Sequence, residues 1–298
     1  MARDRMSRAA SVKRRRTRSV RDLFTLAAAL VLGACSPATL LNAFLSGEGY
    51  ASHTSVAYGD ADRQVLDVYV PEAQAGAAPV IVFFYGGSWK SGSRDTYRFI
   101  AEAFAPRGFT VVVPDYRLYP EVRFPAFVED GARAMRWVRD NIGDYGGDPE
   151  RIILMGHSAG AHIAALLAFD ERYLARVGVP ADALRGLVGI AGPYAFNPLA
   201  YRSTRRIFSG LPSIDNARPV TFVGGEDIAA LLLHGGDDTT VLPRNTKALA
   251  ERIRETGGRP TTHVYPETGH IGIVLSFAPP FRGRDTVYED TLRFLRSL

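Results

Sequence analysis

The stretch Met155-Gly156-His157-Ser158-Ala159-Gly160 constrains this chain more than any other. The run before it, Arg151 to Met155, is apolar and partly β-branched, which predicts a buried strand. The run after it, Ala159 to Phe169, is rich in Ala and Leu and predicts a helix. A serine between two glycines at a strand-to-helix turn is the nucleophile-elbow arrangement. Its spacing has a steric cause. The sharp turn holds the serine in a strained backbone conformation, and the residues two positions away must lack a Cβ for the chains to pass. Such a turn lifts a hydroxyl to the top of a sheet, beside the first amides of a helix.

Charge excludes one class of function. The chain of 298 residues carries a formal net +5, but residues 1–22 hold nine Lys or Arg against Asp4 and Asp22. That tail is +7, residues 23–34 are uncharged, and the remainder from Cys35 onward is therefore −2. The basic character belongs to the tail, so nucleic-acid binding by the body has little support. The apolar stretch Leu23–Ala34 follows the basic tail and gives way to Cys35-Ser36-Pro37. This is the layout of a secretory leader, too short to span a bilayer comfortably. Leu32-Gly33-Ala34-Cys35 also resembles the lipobox of bacterial lipoproteins. Cys35 is the only cysteine, so it has no intramolecular partner, and the resemblance makes it the site of lipidation. The resulting organisation is a leader over 1–34, a linker over 35–51 and one domain over 52–298. The protein is then exported and held at the cell envelope by its lipid anchor or leader. The oligomeric state is not encoded in any recognisable way.

The body alternates strands and helices. His53–Tyr58 and Gln64–Val70 predict an opening hairpin, and Pro79–Tyr85, apolar throughout, predicts a central strand buried on both faces. Further strands are predicted over Phe109–Asp115, Leu187–Ala191, Ala229–His234 and Thr261–Tyr265. Helices are predicted over Arg94–Pro106, Phe127–Ile142, Leu242–Glu255 and Asp285–Leu295. This alternation predicts an α/β fold: a mainly parallel sheet of about eight strands with helices on both faces. The Pro-containing stretch 194–224 is too long for a tight connection. It predicts a small cap over the strand C-termini, where ligands bind in open α/β sheets.

Ser158 and three further stretches, in this order, resemble the α/β-hydrolase family, specifically the carboxylesterase branch related to hormone-sensitive lipase and BD-FAE-like esterases. The resemblance spans most of residues 52–298. Tyr85-Gly86-Gly87-Ser88-Trp89 follows a central strand where relatives carry a His-Gly-Gly run whose backbone N–H groups form an oxyanion hole. The resemblance implies Gly86, Gly87 and Ser88 as that loop, with donors from Gly87, Ser88 and the N–H of Ala159. Tyr85 in place of His, and Ser88 in place of a third glycine, leave the loop geometry open. Asp115, in Pro114-Asp115-Tyr116-Arg117-Leu118, falls in a supporting segment. In Leu231 to Val241 the family pattern His-Gly-x-x-Asp-x-x-Val aligns Asp238 as the orienting acid, with Asp237 as the competing position. Of the six histidines, only His263 and His270 follow that acid, and only His270 lies in a loop beyond a strand end. Trp89 and His157 are the candidates for substrate contact.

The order Ser158, Asp238, His270 is that of this fold. An imidazole, with an ordinary pKa of about 6.5, can take a serine proton at neutral pH, and a carboxylate can hold its tautomer. The resemblance implies a serine hydrolase of small carboxylic esters working through an acyl-enzyme. An arylformamidase or a carbohydrate acetyl esterase would use the same machinery, and a binding protein that has lost catalysis would not keep all three residues. No His-Glu-x-x-His spacing and no phosphate loop is present, so neither metal nor cofactor is implied.

Overall fold

The computed structural model describes Asn42 and residues 45–298, apart from residues 74 and 225–227. The leader, Cys35 and most of the linker lie outside the described residues.

Eight strands form one sheet in the order β1-β2-β4-β3-β5-β6-β7-β8. They are β1 (Tyr50–Ala57), β2 (Val65–Pro71), β3 (Ala78–Phe84), β4 (Thr110–Pro114), β5 (Gly147–His157), β6 (Leu184–Ile190), β7 (Ala229–Gly235) and β8 (Thr261–Tyr265). The opening hairpin pairs antiparallel, and β2 pairs antiparallel with β4. All other pairings are parallel. The predicted architecture holds, with the first strand starting at Tyr50 rather than His53.

The central strands are continuous apolar runs because helices cover both faces. They are α1 (Arg98–Phe104), α2 (Ala126–Asn141), α3 (Ala159–Phe169), α4 (Glu171–Arg176), α5 (Arg244–Glu255), the single turn α6 (Gly272–Leu275) and α7 (Val287–Leu295). α3 is buried on nearly every side, which explains its lack of a polar face. The amphipathic helices α2 and α5 cover the sheet and bury one face each. The short helices α4 and α6 did not stand out in the sequence, since neither is long enough for its apolar residues to show a period. The predicted helix over 94–106 is divided. Arg94–Tyr97 and Ala105–Arg107 are 3-10 turns flanking α1, and Pro106 closes the run.

A parallel arrangement has a direct consequence for the site. The C-terminal ends of β3, β5, β7 and β8 lie along one edge of the sheet, so the loops that follow them open on the same side. Those loops carry Gly87, Ser158, Asp238 and His270. The stretch 194–224 contains only turns and two 3-10 segments, Ile214–Ala217 and Pro219–Phe222. It is pinned by Phe196, Ile207 and Phe208. Phe208 is fully buried against Trp89, Phe124 and Phe127.

Candidate active site

Ser158 has φ 55° and ψ −119° at the junction of β5 and α3. This left-side conformation is strained for a residue with a Cβ, and it persists because its surroundings fix it. The N–H of Ser158 donates to the carbonyl of Ile190 at 2.9 Å, continuing the β5–β6 ladder into the turn. A Cβ on Gly160 would lie 2.0 Å from the carbonyl oxygen of Phe84, and one on Gly156 would lie 2.5 Å from the backbone of Gly160. The two glycines thus let β5, α3 and β3 approach one another around the serine.

The loops after β5, β7 and β8 bring three side chains into a hydrogen-bonded chain. His270 Nε2 lies 2.8 Å from Ser158 Oγ, and His270 Nδ1 lies 2.7 Å from Asp238 Oδ2. Asp238 is 2% exposed, and its Oδ1 accepts from the N–H groups of Thr240 and Val241, both at 2.9 Å. The competing Asp237 is exposed, and His270 bonds to Asp238 instead. His234 supports the acid's turn. Its Nε2–H donates to the carbonyl of Val241 at 2.7 Å, and its Nδ1 accepts from Thr246 Oγ1 at 2.7 Å. Burial lowers the pKa of His234, so it stands as a neutral strut rather than the ion partner its 3.3 Å approach to Asp238 would suggest.

The loop after β3 turns through Gly87 (φ 136°), Ser88 (φ 52°) and Trp89 (φ 56°). A Cβ on Gly87 would lie 1.9 Å from the carbonyl of Ser91, so this position requires glycine. Ser88 and Ala159 line the same cavity as Ser158, whereas Gly86 packs behind the elbow, against His157 and the Ser158 Cβ. Tyr85, where relatives carry His, is a fully buried anchor. Its hydroxyl donates to Asp115 Oδ1 at 2.7 Å and accepts from Arg63 Nη2 at 2.6 Å. Asp115 in turn accepts from Arg94 at 2.6 Å, and Arg94 bridges to buried Asp67 at 2.8 Å. Burial, followed by the neighbouring Asp115 charge, raises the Tyr85 pKa, which keeps this hydroxyl protonated as the donor. Asp115 was legible as structural. Arg63 and Arg94 were not, although a buried acid at a strand end requires a cation nearby.

Trp89 lines the cavity, as anticipated, and stacks on Phe196 of the cap at 5.8 Å between centroids. His157 does not. It is 1% exposed, and its Nε2–H donates to the carbonyl of His270 at 3.0 Å. The side chain packs against the rings of His270, at 4.9 Å between centroids, and Tyr97 rather than lining the cavity. Contrary to the expectation from sequence, His157 is not positioned to contact substrate. The cavity above Ser158 has a volume of about 490 Å³ and is roofed by the cap through Phe196, Tyr201 and Thr204. A larger groove of about 770 Å³ runs along α4 and Phe222, away from these groups. Among the described residues, no group of three or more His, Cys, Asp or Glu is placed to hold a metal ion.

The prolyl oligopeptidase family model matches residues 127–297, more than half of the chain, and includes the serine, the acid and the histidine. The chain belongs to the prolyl oligopeptidase family. A second family model, BD-FAE, matches residues 66–178, where the loop after β3 and the elbow lie. Among curated proteins, this family member is 31% identical over 270 residues to a probable isoprenylcysteine alpha-carbonyl methylesterase of Oryza sativa subsp. japonica. That match covers 82% of this chain and 62% of the relative. It is 29% identical over 241 residues to the esterase LipC of Mycobacterium tuberculosis, covering 74% of this chain and 60% of that protein. The chain thus spans about three fifths of the length of these curated relatives. Among solved structures, esterase B from Lactobacillus rhamnosis superposes with a TM-score of 0.74 at 22% identity, covering 92% of this chain and 93% of that one. A truncated carbohydrate esterase from gut microbiota gives 0.71 at 22%, covering 84% and 97%. These likenesses identify the fold as that of the α/β-hydrolases.

Proposed function

We propose that this protein is a serine hydrolase that cleaves small carboxylic esters through an acyl-enzyme on Ser158. The observation that carries the reading is the hydrogen-bonded chain from Ser158 through His270 to buried Asp238 at the floor of a cavity. Neutral His270 donates its Nδ1–H to Asp238, which leaves the Nε2 lone pair facing the serine hydroxyl. As Ser158 Oγ bonds to the ester carbonyl carbon, its proton passes to His270 Nε2, and Asp238 stabilises the imidazolium without taking the proton. Negative charge develops on the former carbonyl oxygen. The N–H groups of Gly87, Ser88 and Ala159 are its donors, each worth about 3 kcal/mol in such sites. His270 then returns the proton to the alcohol oxygen as the acyl C–O bond breaks. Water repeats the sequence on the acyl-enzyme, releasing the acid and restoring the serine.

Ester rather than peptide hydrolysis is favoured by the curated relatives, which carry esterase names. The polar groups around the cavity, among them Asn197, Ser203 and Thr240, favour a carbohydrate acetyl ester as a second reading. In the test, purified wild-type protein hydrolyses 4-nitrophenyl acetate and Ser158→Ala does not. Activity surviving that substitution would overturn the mechanism.

The proposal extends to location. The basic tail, apolar stretch and Cys35 together support export, with Cys35 lipidated at the cell envelope. Among the described residues no helix is long and apolar enough to cross a membrane. A mature protein lacking a diacylglyceryl mass on Cys35 would refute the anchor.

A further inference from the structure

We propose that the cavity takes esters bearing a second, anionic group, and that Arg244 binds that group. The inference rests on the site reading given above and adds a substrate class to it. Among the described residues that line the cavity, Arg244 is the one carrying charge, and no acid faces it there. Its guanidinium enters none of the ion pairs formed among the described residues. By contrast Arg63 and Arg94 pair with Asp115, and Arg218 with Asp215, while Arg202, Arg205 and Arg206 on the outer surface of the cap pair with no carboxylate among the described residues. A guanidinium left at a cavity wall presents a fork of donors matched to carboxylate or phosphate oxygens.

The charge distribution is a second, independent observation. The cap segment 193–224 carries Arg202, Arg205, Arg206 and Arg218 against Asp215 alone, a net +3. The rest of the chain from Cys35 onward is then −5. Positive charge is therefore concentrated on the segment that roofs the cavity, on a body of opposite sign. Arg202 lies between the cavity residues Tyr201 and Ser203 and is exposed, as are Arg205 and Arg206. Such a field raises the local concentration of anionic substrates at the mouth, and Arg244, itself exposed at the cavity wall, binds them there.

The test compares matched esters in the full chain: monomethyl glutarate against methyl valerate, and 3-acetoxypropionate against propyl acetate. The first pair places the charge on the acyl side and the second on the alcohol side. The readout is the ratio of kcat/KM for the charged ester to that for its neutral partner. In at least one pair that ratio falls about fivefold in Arg244→Gln, chiefly through KM, a size set by the exposure of the guanidinium. Arg244→Lys keeps part of it, and in the wild type added salt lowers the ratio. Ratios unchanged by Arg244→Gln in both pairs, with the neutral esters still hydrolysed, overturn this inference alone. Failure to hydrolyse even the neutral esters overturns the site reading and this inference with it.

Discussion

His157 holds the carbonyl oxygen of His270 through its Nε2–H at 3.0 Å, while its own Nδ1 is buried without a partner among the described residues. The residue beside the serine in the chain thus fixes the backbone of the residue that faces the serine in space. Burial, reinforced by the neighbouring His270, pushes the His157 pKa down to about 3, so it stays a neutral donor at physiological pH. Replacing it with Ala frees the His270 loop and leaves a carbonyl without its donor. We predict a fall in kcat of about tenfold with KM little changed, since losing one such bond costs about 1–3 kcal/mol. His157→Gln, which can still donate, recovers part of the loss. Steady-state kinetics on the two variants check this.

The acid is distinguished from its neighbour by burial. Asp238→Asn presents the wrong hydrogen-bonding partner to His270 and is predicted to lower kcat by about 10⁴. Asp237→Asn changes an exposed side chain and leaves kcat within about twofold of wild type. The reverse ranking in a kcat comparison would move the acid by one residue.

The elbow glycines should be intolerant for steric reasons. Gly160→Ala places a Cβ 2.0 Å from the Phe84 carbonyl and cannot fold without shifting β3 from α3. It is predicted to lose more than about 3 kcal/mol of stability, or to yield no soluble protein. Gly269→Ala has open space around its Cβ and should change stability by less than about 1 kcal/mol. Urea midpoints for the two variants decide it.

Acid sensitivity follows from the buried histidines. Burial lowers His157 to about 3 and His162 to about 4, and lowers His234 as well. Their pKa values are depressed in the folded state, so between about pH 6.5 and 4 the unfolded chain binds protons that the native protein does not. The stability they permit is fully present above the unfolded pKa and declines as pH falls. His162→Phe should flatten that decline by up to one proton, about 1.4 kcal/mol per pH unit. Urea unfolding at pH 7, 6 and 5 measures it.

The legible parts of this molecule were those governed by local rules. Spacing at Gly156, Ser158 and Gly160 reports a steric requirement that the chain meets within five residues. The apolar run of β3 reports burial on both faces. What escaped was set by contacts distant in sequence. Arg63 and Arg94 converge on Asp115 from separate loops, and nothing local marks either arginine as half-buried. His157 adjoins Ser158 in sequence, but its place is set by a bond to the His270 carbonyl, 113 residues away. Helices α4 and α6 are too short to carry a period.

The central claim is that Ser158 is the nucleophile and that His270 activates it. It is tested most directly by treating the purified protein with a fluorophosphonate probe and sequencing the modified peptide by mass spectrometry. The account predicts one adduct, on Ser158, formed in wild type and suppressed by more than about a hundredfold in rate in His270→Ala. An adduct on another serine, or equally rapid labelling of Ser158 without His270, would contradict it.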